Sequence, residues 1–338
     1  MPVNPRDLAA AAGIISSAPA LAMACHMAPD GDALGSMLAL HLLAQQHGKT
    51  SIASWPAPFV VAPHYDFLPG LDQVTEPAAF PEAPDVMIAF DCGSRGRLGE
   101  LAASAMAARA LIVVDHHATN PGFGHVNLID PSAAASAVVV RRLIAELGWK
   151  LDSPSALCLY TGLVCDTGRF THDNTTPEVF ALAEELAGFD LPISRITRQL
   201  FEQHRLAYLR LAGVALARAE FDPARRFVAA WVTAAELEAE GVSVDEAEGL
   251  IDLVRRATEA DVAAVLKEAP DGIRVSLRAM GGVDVGAIAS LFRGGGHRAA
   301  AGFTSPLPMA EVLENLRQAV PLVDASESGS AFKSRGAD

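Results

Sequence analysis

The sequence predicts an α/β fold, in which an N-terminal doubly wound, mainly parallel sheet is joined to a smaller C-terminal α/β domain across a cleft. The chain has 338 residues, of which 51% are hydrophobic and 20% charged, enough for about two domains with buried cores. Short apolar runs alternate with helical patterns through the first half, which is typical of a parallel sheet covered by helices. A second series of strands and helices begins near residue 226, after a long helical stretch.

Four apolar runs in the first half are predicted to be buried strands, namely Ala20–Cys25, Thr50–Trp55, Val86–Phe90 and Leu111–Val114. Helical spacing follows the first run up to Gly48, and further helices are predicted at about 95–109, 137–148 and 154–165. From residue 176 to residue 220 the pattern is helical almost throughout, with a break near 188–192.

The second half predicts a strand near residue 226, a helix at 244–256, and strands near 262–266 and 273–278. A glycine-rich turn and a helix follow at about 284–302, and the last residues are small and polar. We therefore expect a first domain at 1–185, a helical connector at 186–220, a second domain at 221–323 and a flexible tail at 324–338.

Charge and cysteine content narrow the function classes. With 26 basic and 40 acidic residues the net charge is −14, which argues against a broad basic surface for long nucleic acid. The four cysteines show no close pairing in the sequence, so no disulfide framework is expected. The expected location is therefore a reducing cytoplasm. The sequence shows neither a signal-peptide pattern nor an apolar run of about 18 residues, and no membrane span is expected.

Acidic and histidine residues follow three of the predicted strands and one predicted helix. In an open α/β sheet the carboxyl ends of the strands border one crevice, so these side chains are expected to meet there. Several carboxylates in one crevice repel one another, and divalent cations relieve that repulsion directly. The candidate residues are His26, Asp30, Asp32, Asp91, Asp115, His116, His117 and Asp166.

Histidine and carboxylate ligands favour Mn²⁺ or another hard or borderline cation over a structural zinc ion. Two such ions, about 3.5–4 Å apart, would suit an in-line phosphoryl displacement. Taken singly, Asp30 or Asp32 could instead cap the helix that follows, but the same chemistry recurs at four element ends.

Cys25 and Cys92 adjoin proposed ligands. Since strand neighbours point to opposite faces, they are expected to be buried rather than ligating.

Five segments together resemble the successive motifs of the Asp-His-His (DHH) phosphoesterase family and its associated substrate domain. The segments are HMAPDGDALGS (26–36), IAFDCG (88–93), VVDHHATN (113–120), YTGLVCDTGRF (160–170) and the glycine-rich segment 275–303. The resemblance covers about residues 15–320, and within the family the sequence is most similar to bacterial nanoRNases and pAp phosphatases, where pAp is 3′-phosphoadenosine 5′-phosphate.

The resemblance implies two Mn²⁺ ions, with Mg²⁺ or Co²⁺ as substitutes. One ion would be held by His26, Asp30 and Asp91, and the other by Asp32, Asp91, His116 and Asp166. Asp91 would bridge the two, and the residues expected to act in catalysis are Asp91, His116 and His117. His117 would lie beside the scissile phosphate, and Asp115 would orient the histidines.

In the second domain, the resemblance implies that the backbone N–H groups of Gly294, Gly295 and Gly296 approach a phosphate. Arg278 and His297 would pair with the phosphate or stack on a base. Two segments depart from the family pattern: Arg293 replaces a usual glycine, and residues 132–140 (SAAASAVVV) lack the expected Ser/Thr-then-Glu character.

The resemblance implies a Mn²⁺-dependent phosphoesterase that activates water with two metal ions. It would hydrolyse very short RNA oligonucleotides to mononucleotides and pAp to AMP, with short single-stranded DNA as a further candidate substrate. Expected partners are short oligonucleotides or nucleoside bisphosphates, with no long duplex and no membrane. The alternatives are a cyclic-dinucleotide phosphodiesterase, acting on c-di-AMP or linear pApA, and a nucleotide-binding module on a decayed fold. The sequence leaves open the preferred substrate, the polarity of cleavage, the physiological metal and whether the chain forms a homodimer.

Overall fold

The computed structural model describes residues 3–296 and 298–323, and it divides into two compact units with the boundary between Gln203 and His204. The range 186–220, predicted as a connector, therefore falls partly in each unit. The expected flexible tail at 324–338 and the predicted substrate residue His297 lie outside the described residues.

The N-terminal unit is built on a five-stranded sheet in which every strand pair is parallel, in the order β2-β1-β3-β4-β5. The strands are β1 (Ala20–Cys25), β2 (Thr50–Ser54), β3 (Val86–Phe90), β4 (Ala110–Asp115) and β5 (Val126–Ile129). The predicted doubly wound parallel sheet is confirmed. The sequence reading missed β5, because this edge strand has four residues and only Leu128 is buried.

Seven α-helices complete the described part of the N-terminal unit, and an eighth, α8, begins the second unit. They are α1 (Pro5–Ser17), α2 (Gly31–Gln46), α3 (Ala102–Ala107), α4 (Ser136–Glu146), α5 (Ser153–Asp166), α6 (Pro177–Ala187), α7 (Ile193–Phe201) and, in the second unit, α8 (Leu206–Ala217). Helix α2 is apolar around most of its circumference and is almost wholly buried, as expected for a helix enclosed by other elements.

The predicted helix at 95–109 is wrong in its first half. Residues Arg95–Leu101 form 3₁₀ turns with a kink at Gly99, and only α3 is regular. Gly99 has a φ of 49°, and a Cβ there would lie 2.7 Å from Pro56 Cβ. The chain therefore turns sharply at a position that only glycine fits, which is incompatible with one continuous helix.

The second unit contains a six-stranded mixed sheet in the order β10-β11-β9-β8-β7-β6, in which only β7 and β8 run parallel. Its strands are β6 (Glu220–Asp222), β7 (Phe227–Val232), β8 (Val262–Ala269), β9 (Gly272–Ala279), β10 (Gly295–Gly296) and β11 (Ala300–Ser305). Its remaining helices are α9 (Ala234–Glu240), α10 (Leu250–Val254), α11 (Val285–Leu291) and α12 (Met309–Ala319).

Two expectations for this unit need correction. The predicted helix at 244–256 is a 3₁₀ turn followed by the short α10. The regular structure also continues past residue 302 through β11 and α12, whereas the sequence predicts its end there.

Apolar clusters cover both faces of the sheet, so the sequences of its central strands are nearly continuous apolar runs. Among the described residues no helix is long and apolar enough to cross a membrane.

Close packing of α2 against α5 depends on Gly35. A Cβ at this position would lie 2.3 Å from the backbone oxygen of Cys158, whereas the exposed Gly13 in α1 has no atom within 4 Å of the same position. We expect Gly35→Ala to lower the free energy of unfolding by about 1–3 kcal/mol through overpacking. Gly13→Ala, the matched control, is expected to raise it by about 0.5–1 kcal/mol. Urea unfolding of both variants would test this, and equal effects would contradict it.

Candidate metal centre

The predicted ligands lie at the carboxyl ends of β1, β3 and β4 in the N-terminal unit. The strand order reverses between β1 and β3, and ligands of open α/β sheets bind at such a reversal. His26 follows β1, Asp91 follows β3, and Asp115 ends β4. Although these residues are far apart in sequence, parallel pairing brings them to one edge of the sheet.

Asp91 lies at the centre of the cluster and is nearly completely buried. Its Oδ2 is 3.5 Å from Nε2 of His26, and its Oδ1 is 3.5 Å from Nε2 of His116. The Ser136 hydroxyl donates a hydrogen bond of 2.9 Å to Oδ1. With a φ of 54°, Asp91 also has a left-handed backbone, which is uncommon for a residue with a side chain and is typical of functional sites. Oδ2 therefore faces His26, whereas Oδ1 faces His116 and, at 3.6 Å, also Nδ1 of His117.

The first ligand group consists of His26, Asp30 and Asp91, whose ligand atoms all lie within 4.8 Å of one another. Asp30 is also the N-cap of α2, because its Oδ1 accepts the backbone N–H groups of Asp32 and Ala33 at 3.1 and 3.0 Å. Its Oδ2 faces Nε2 of His26 at 3.8 Å. One oxygen of this carboxylate thus caps the helix, and the other faces a candidate ligand.

The second group consists of Asp32, His116 and Asp166, again within 4.8 Å. Nε2 of His116 lies 3.1 Å from Oδ2 of Asp166, the last residue of α5. The fully buried Asp32 accepts the backbone N–H groups of Ser136 and Ala137, at 2.5 and 2.9 Å, at the start of α4. A helix N-terminus stabilises a carboxylate in this position.

Segment 132–140, which departs from the family pattern, supplies this support. Ser136 is fully buried and contacts two predicted ligands, through its backbone N–H to Asp32 and through its hydroxyl to Asp91. The sequence reading missed it, since a serine among alanines and valines gives no functional signal. Gly162 of α5 also keeps space for Asp32, because a Cβ there would lie 2.7 Å from Oδ1.

The donor atoms of the two histidines are oriented as a divalent cation requires. Nδ1 of His26 lies 2.8 Å from the backbone oxygen of Met27, and Nδ1 of His116 lies 3.3 Å from that of Ala133. A proton on Nδ1 leaves the lone pair of Nε2 directed at the carboxylates, the usual arrangement of metal-binding histidine. The mixed nitrogen and oxygen donor set thus fits a cation such as Mn²⁺.

The electrostatics of the cluster also call for a cation. Burial raises the pKa of Asp32 well above its usual value, and the neighbouring Asp166 and Asp91 raise it further. Burial likewise raises the pKa of Asp166, to about 6, against the contact with His116. Although burial alone would lower them, carboxylate contacts raise the pKa of His26 to about 10 and that of His116 to about 11. Without a cation, protons take over the neutralisation of these carboxylates.

His117 forms a third group of candidate ligands with Asp91 and His116, and Asp115 also holds its ring. Nδ1 of His117 lies 2.7 Å from Oδ1 of Asp115, which also accepts the backbone N–H of His116 at 2.8 Å. The side chain of Asn120, which the sequence reading missed, donates to the other oxygen of Asp115. Burial alone would lower the pKa of His117, but the contact with Asp115 raises it. Asp115 itself is fully buried and belongs to none of the ligand groups found among the described residues.

The cysteines lie beside the site without contributing to it. Cys25 and Cys92 are completely buried, each in a different apolar cluster of the N-terminal unit. Burial raises the pKa of both thiols well above the usual value, and nearby carboxylates raise it further. In the described part of the chain no group of metal-binding atoms includes a cysteine.

The predicted substrate residues of the second unit are grouped at one end of its sheet. Gly296 pairs with Ala301 of β11, and Arg278 of β9 pairs with the adjacent Ala300, so one strand separates the glycines from the arginine. A Cβ on Gly294 or Gly296 would approach backbone atoms to 2.3 and 2.5 Å, whereas Gly295 has no described atom within 4 Å. Packing alone thus accounts for two of the three glycines.

Arg293, which departs from the family pattern, has a φ of 63°. Glycine adopts this left-handed conformation most readily, and it commonly ends helices such as α11. The backbone conformation therefore explains why the family usually has glycine at this position. In this chain an exposed arginine adopts the same left-handed conformation.

Comparison with known proteins agrees with this architecture. The model of the DHH family, N-terminal domain, matches residues 21–163, and that of the DHHA1 domain matches residues 226–323. A bifunctional oligoribonuclease and PAP phosphatase NrnA of Thermus thermophilus is 34% identical over 88% of this chain and 88% of its own length. The protein of the same name from Bacillus subtilis is 28% identical over 82% of this chain and 86% of its own.

Solved structures show the same fold. An exopolyphosphatase-related protein from Bacteroides fragilis superposes with a TM-score of 0.89 at 23% identity, covering 94% of this chain and 96% of its own. An exonuclease RecJ bound to manganese gives a TM-score of 0.54 at 14% identity, covering 98% of both chains. The motif resemblance is thereby confirmed over both units, and the chain belongs to the DHH phosphoesterase family.

Proposed function

We propose that this phosphoester hydrolase uses two Mn²⁺ ions to cleave very short oligoribonucleotides to mononucleotides and pAp to AMP. The relatives from Thermus thermophilus and Bacillus subtilis are named for both activities, and the first is similar over nearly the whole chain. The manganese-bound RecJ with the same fold supports the choice of metal.

The geometry of Asp91 is the observation that carries the two-ion proposal. Its two oxygens face His26 and His116, each at 3.5 Å, and each histidine belongs to a separate group of candidate ligands. A carboxylate in this position can bridge two cations. His26, Asp30 and Asp91 would hold one ion, and Asp32, Asp91, His116 and Asp166 the other.

Two bound divalent cations supply Lewis-acid activation of a water molecule and of phosphate oxygens. The protein side chains hold and orient the reacting groups. Asp115 fixes the ring of His117 through Nδ1, so that Nε2 is the atom from which His117 can donate to a phosphate or leaving-group oxygen. Gly93 permits the close approach of this ring, since a Cβ there would lie 3.2 Å from Cγ of His117.

We assign phosphate binding in the second unit to Gly295, Arg278 and His297. Gly295 is exposed on the edge strand β10, where its N–H can meet an anion and nothing described covers its Cα. Arg278 is half-buried and donates to the backbone oxygen of Leu277 at 3.0 Å, a contact that leaves further guanidinium donors for a ligand.

A panel of substrates tests the proposal. With Mn²⁺ present, pAp, RNA and DNA from dimer to twenty-mer, and cyclic dinucleotides are compared by kcat/KM. A protein of net charge −14 is expected to bind a long anionic strand weakly. Activity should therefore be highest on substrates of about two to five nucleotides. Equal kcat/KM on dimer and twenty-mer would contradict this, and preferred cleavage of cyclic dinucleotides would favour a cyclic-dinucleotide phosphodiesterase.

Removal of the bridging carboxylate should abolish turnover. We expect Asp91→Ala, and chelation of the wild type, to leave the fold intact and hydrolysis undetectable, because both ions lose a shared ligand. Asp85→Ala is the matched control, since Asp85 precedes the opposite end of the same strand and forms an ion pair with the exposed Arg109. If Asp91→Ala kept more than about a tenth of the wild-type turnover, the bridging assignment would be wrong.

The glycines of β10 should separate into a functional and a structural class. We expect Gly295→Ala to raise the KM for pAp about five- to tenfold with unchanged Mn²⁺ affinity, because the methyl group occupies the space of the anion. Gly294→Ala should instead lower the free energy of unfolding by about 1–3 kcal/mol. Steady-state kinetics, metal titration and urea unfolding distinguish the two, and an unchanged KM in Gly295→Ala would refute the assignment.

A further inference from the structure

Arg97 is a cation at the metal centre that the motif set does not include. It lies in the 3₁₀ turns that follow β3, and its Nη2 lies 2.9 Å from Nδ1 of His26. Arg97 is exposed to solvent, whereas His26 is buried. The guanidinium therefore reaches the acidic cluster from the solvent side.

The backbone of Arg97 is fixed to the strand end that carries His26. The backbone oxygen of Arg97 accepts the N–H of Met27 at 2.9 Å, and its own N–H donates to Ser94 at 3.1 Å. The kink at Gly99 then directs the chain away towards α3. Consequently the side chain of Arg97 is tethered beside the centre even when its contact with His26 is broken.

The contact places a cation beside the first group of candidate ligands. Nε2 of His26 faces Asp30 at 3.8 Å and Asp91 at 3.5 Å, and the guanidinium of Arg97 lies at Nδ1 of the same ring. A guanidinium has five N–H donors, and Arg97 is exposed, so donors remain for an anion that arrives from solvent.

We propose that Arg97 binds a non-bridging oxygen of the substrate phosphate on the His26 side of the site. The inference rests on the proposed phosphoesterase function and extends it by a phosphate-binding residue in the N-terminal unit. A phosphate entering beside Asp30 and Asp91 meets two carboxylates, and a guanidinium at this edge offsets their repulsion. Its planar set of donors also matches two phosphate oxygens, which a lysine ammonium does not.

The test compares Arg97→Ala, Arg97→Lys and the control Arg95→Ala. Arg95 is exposed in the same turns, and its side chain makes no hydrogen bond or ion pair with a described residue. Three quantities are measured: Mn²⁺ affinity by titration, the affinity of the Mn²⁺-loaded protein for AMP by calorimetry, and KM and kcat for pAp. The AMP measurement needs no turnover.

We expect Arg97→Ala to weaken AMP binding and raise KM by about tenfold or more, with Mn²⁺ affinity unchanged. Arg97→Lys should recover part of the loss, and Arg95→Ala should match the wild type. Unchanged AMP affinity in Arg97→Ala, a loss confined to Mn²⁺ affinity, or an equal loss in Arg95→Ala would each overturn the proposal.

Failure of the broader function is distinguishable from failure of this inference. If the wild type cleaves no phosphoester of the panel, the proposed function fails, and the AMP comparison still decides the role of Arg97. If the wild type is active and the Arg97 variants bind AMP as it does, only the role of Arg97 is refuted.

Discussion

Mutual repulsion among four carboxylates in one crevice is the constraint on which the N-terminal unit depends. Asp30, Asp32, Asp91 and Asp166 lie within a few ångströms of one another, and burial raises the pKa of Asp32 and of Asp166. The fold holds them there with backbone donors. The start of α2 binds one, the start of α4 binds another, and the hydroxyl of Ser136 binds a third.

The histidines are oriented by the same means, each from a different element. His26 is directed by the backbone oxygen of Met27, His116 by that of Ala133, and His117 by the carboxylate of Asp115. The orientation of each ring is thus set through Nδ1. The donors that complete the site are thus backbone groups and buried side chains, which a search for chemically active residue types does not reveal.

Close packing, rather than ligand binding, explains most of the glycines near the two candidate sites. Gly35 and Gly162 let α5 approach α2 and Asp32, and Gly294 and Gly296 let strand backbones pass each other closely. Among Gly294, Gly295 and Gly296, open space is found in the described structure at Gly295 alone, so a glycine-rich motif can combine two packing positions with one candidate binding position. The family pattern marks all three alike, since sequence similarity does not separate these causes.

The sequence alone determined the parallel sheet, the ends of β1 and β3, and the set of residues that meet there, because apolar strands buried on both faces and chemically distinctive strand ends are local signals. It did not determine β5, β11 or the kink at Gly99, where short length, partial exposure or a contact with Pro56 decides the conformation. Ser136, Asn120 and Arg97 likewise emerged only from the tertiary structure. Their relation to the site consists of contacts across 5 to 104 residues of chain, and pairing of that kind is set by how the strands and helices pack rather than by any local pattern.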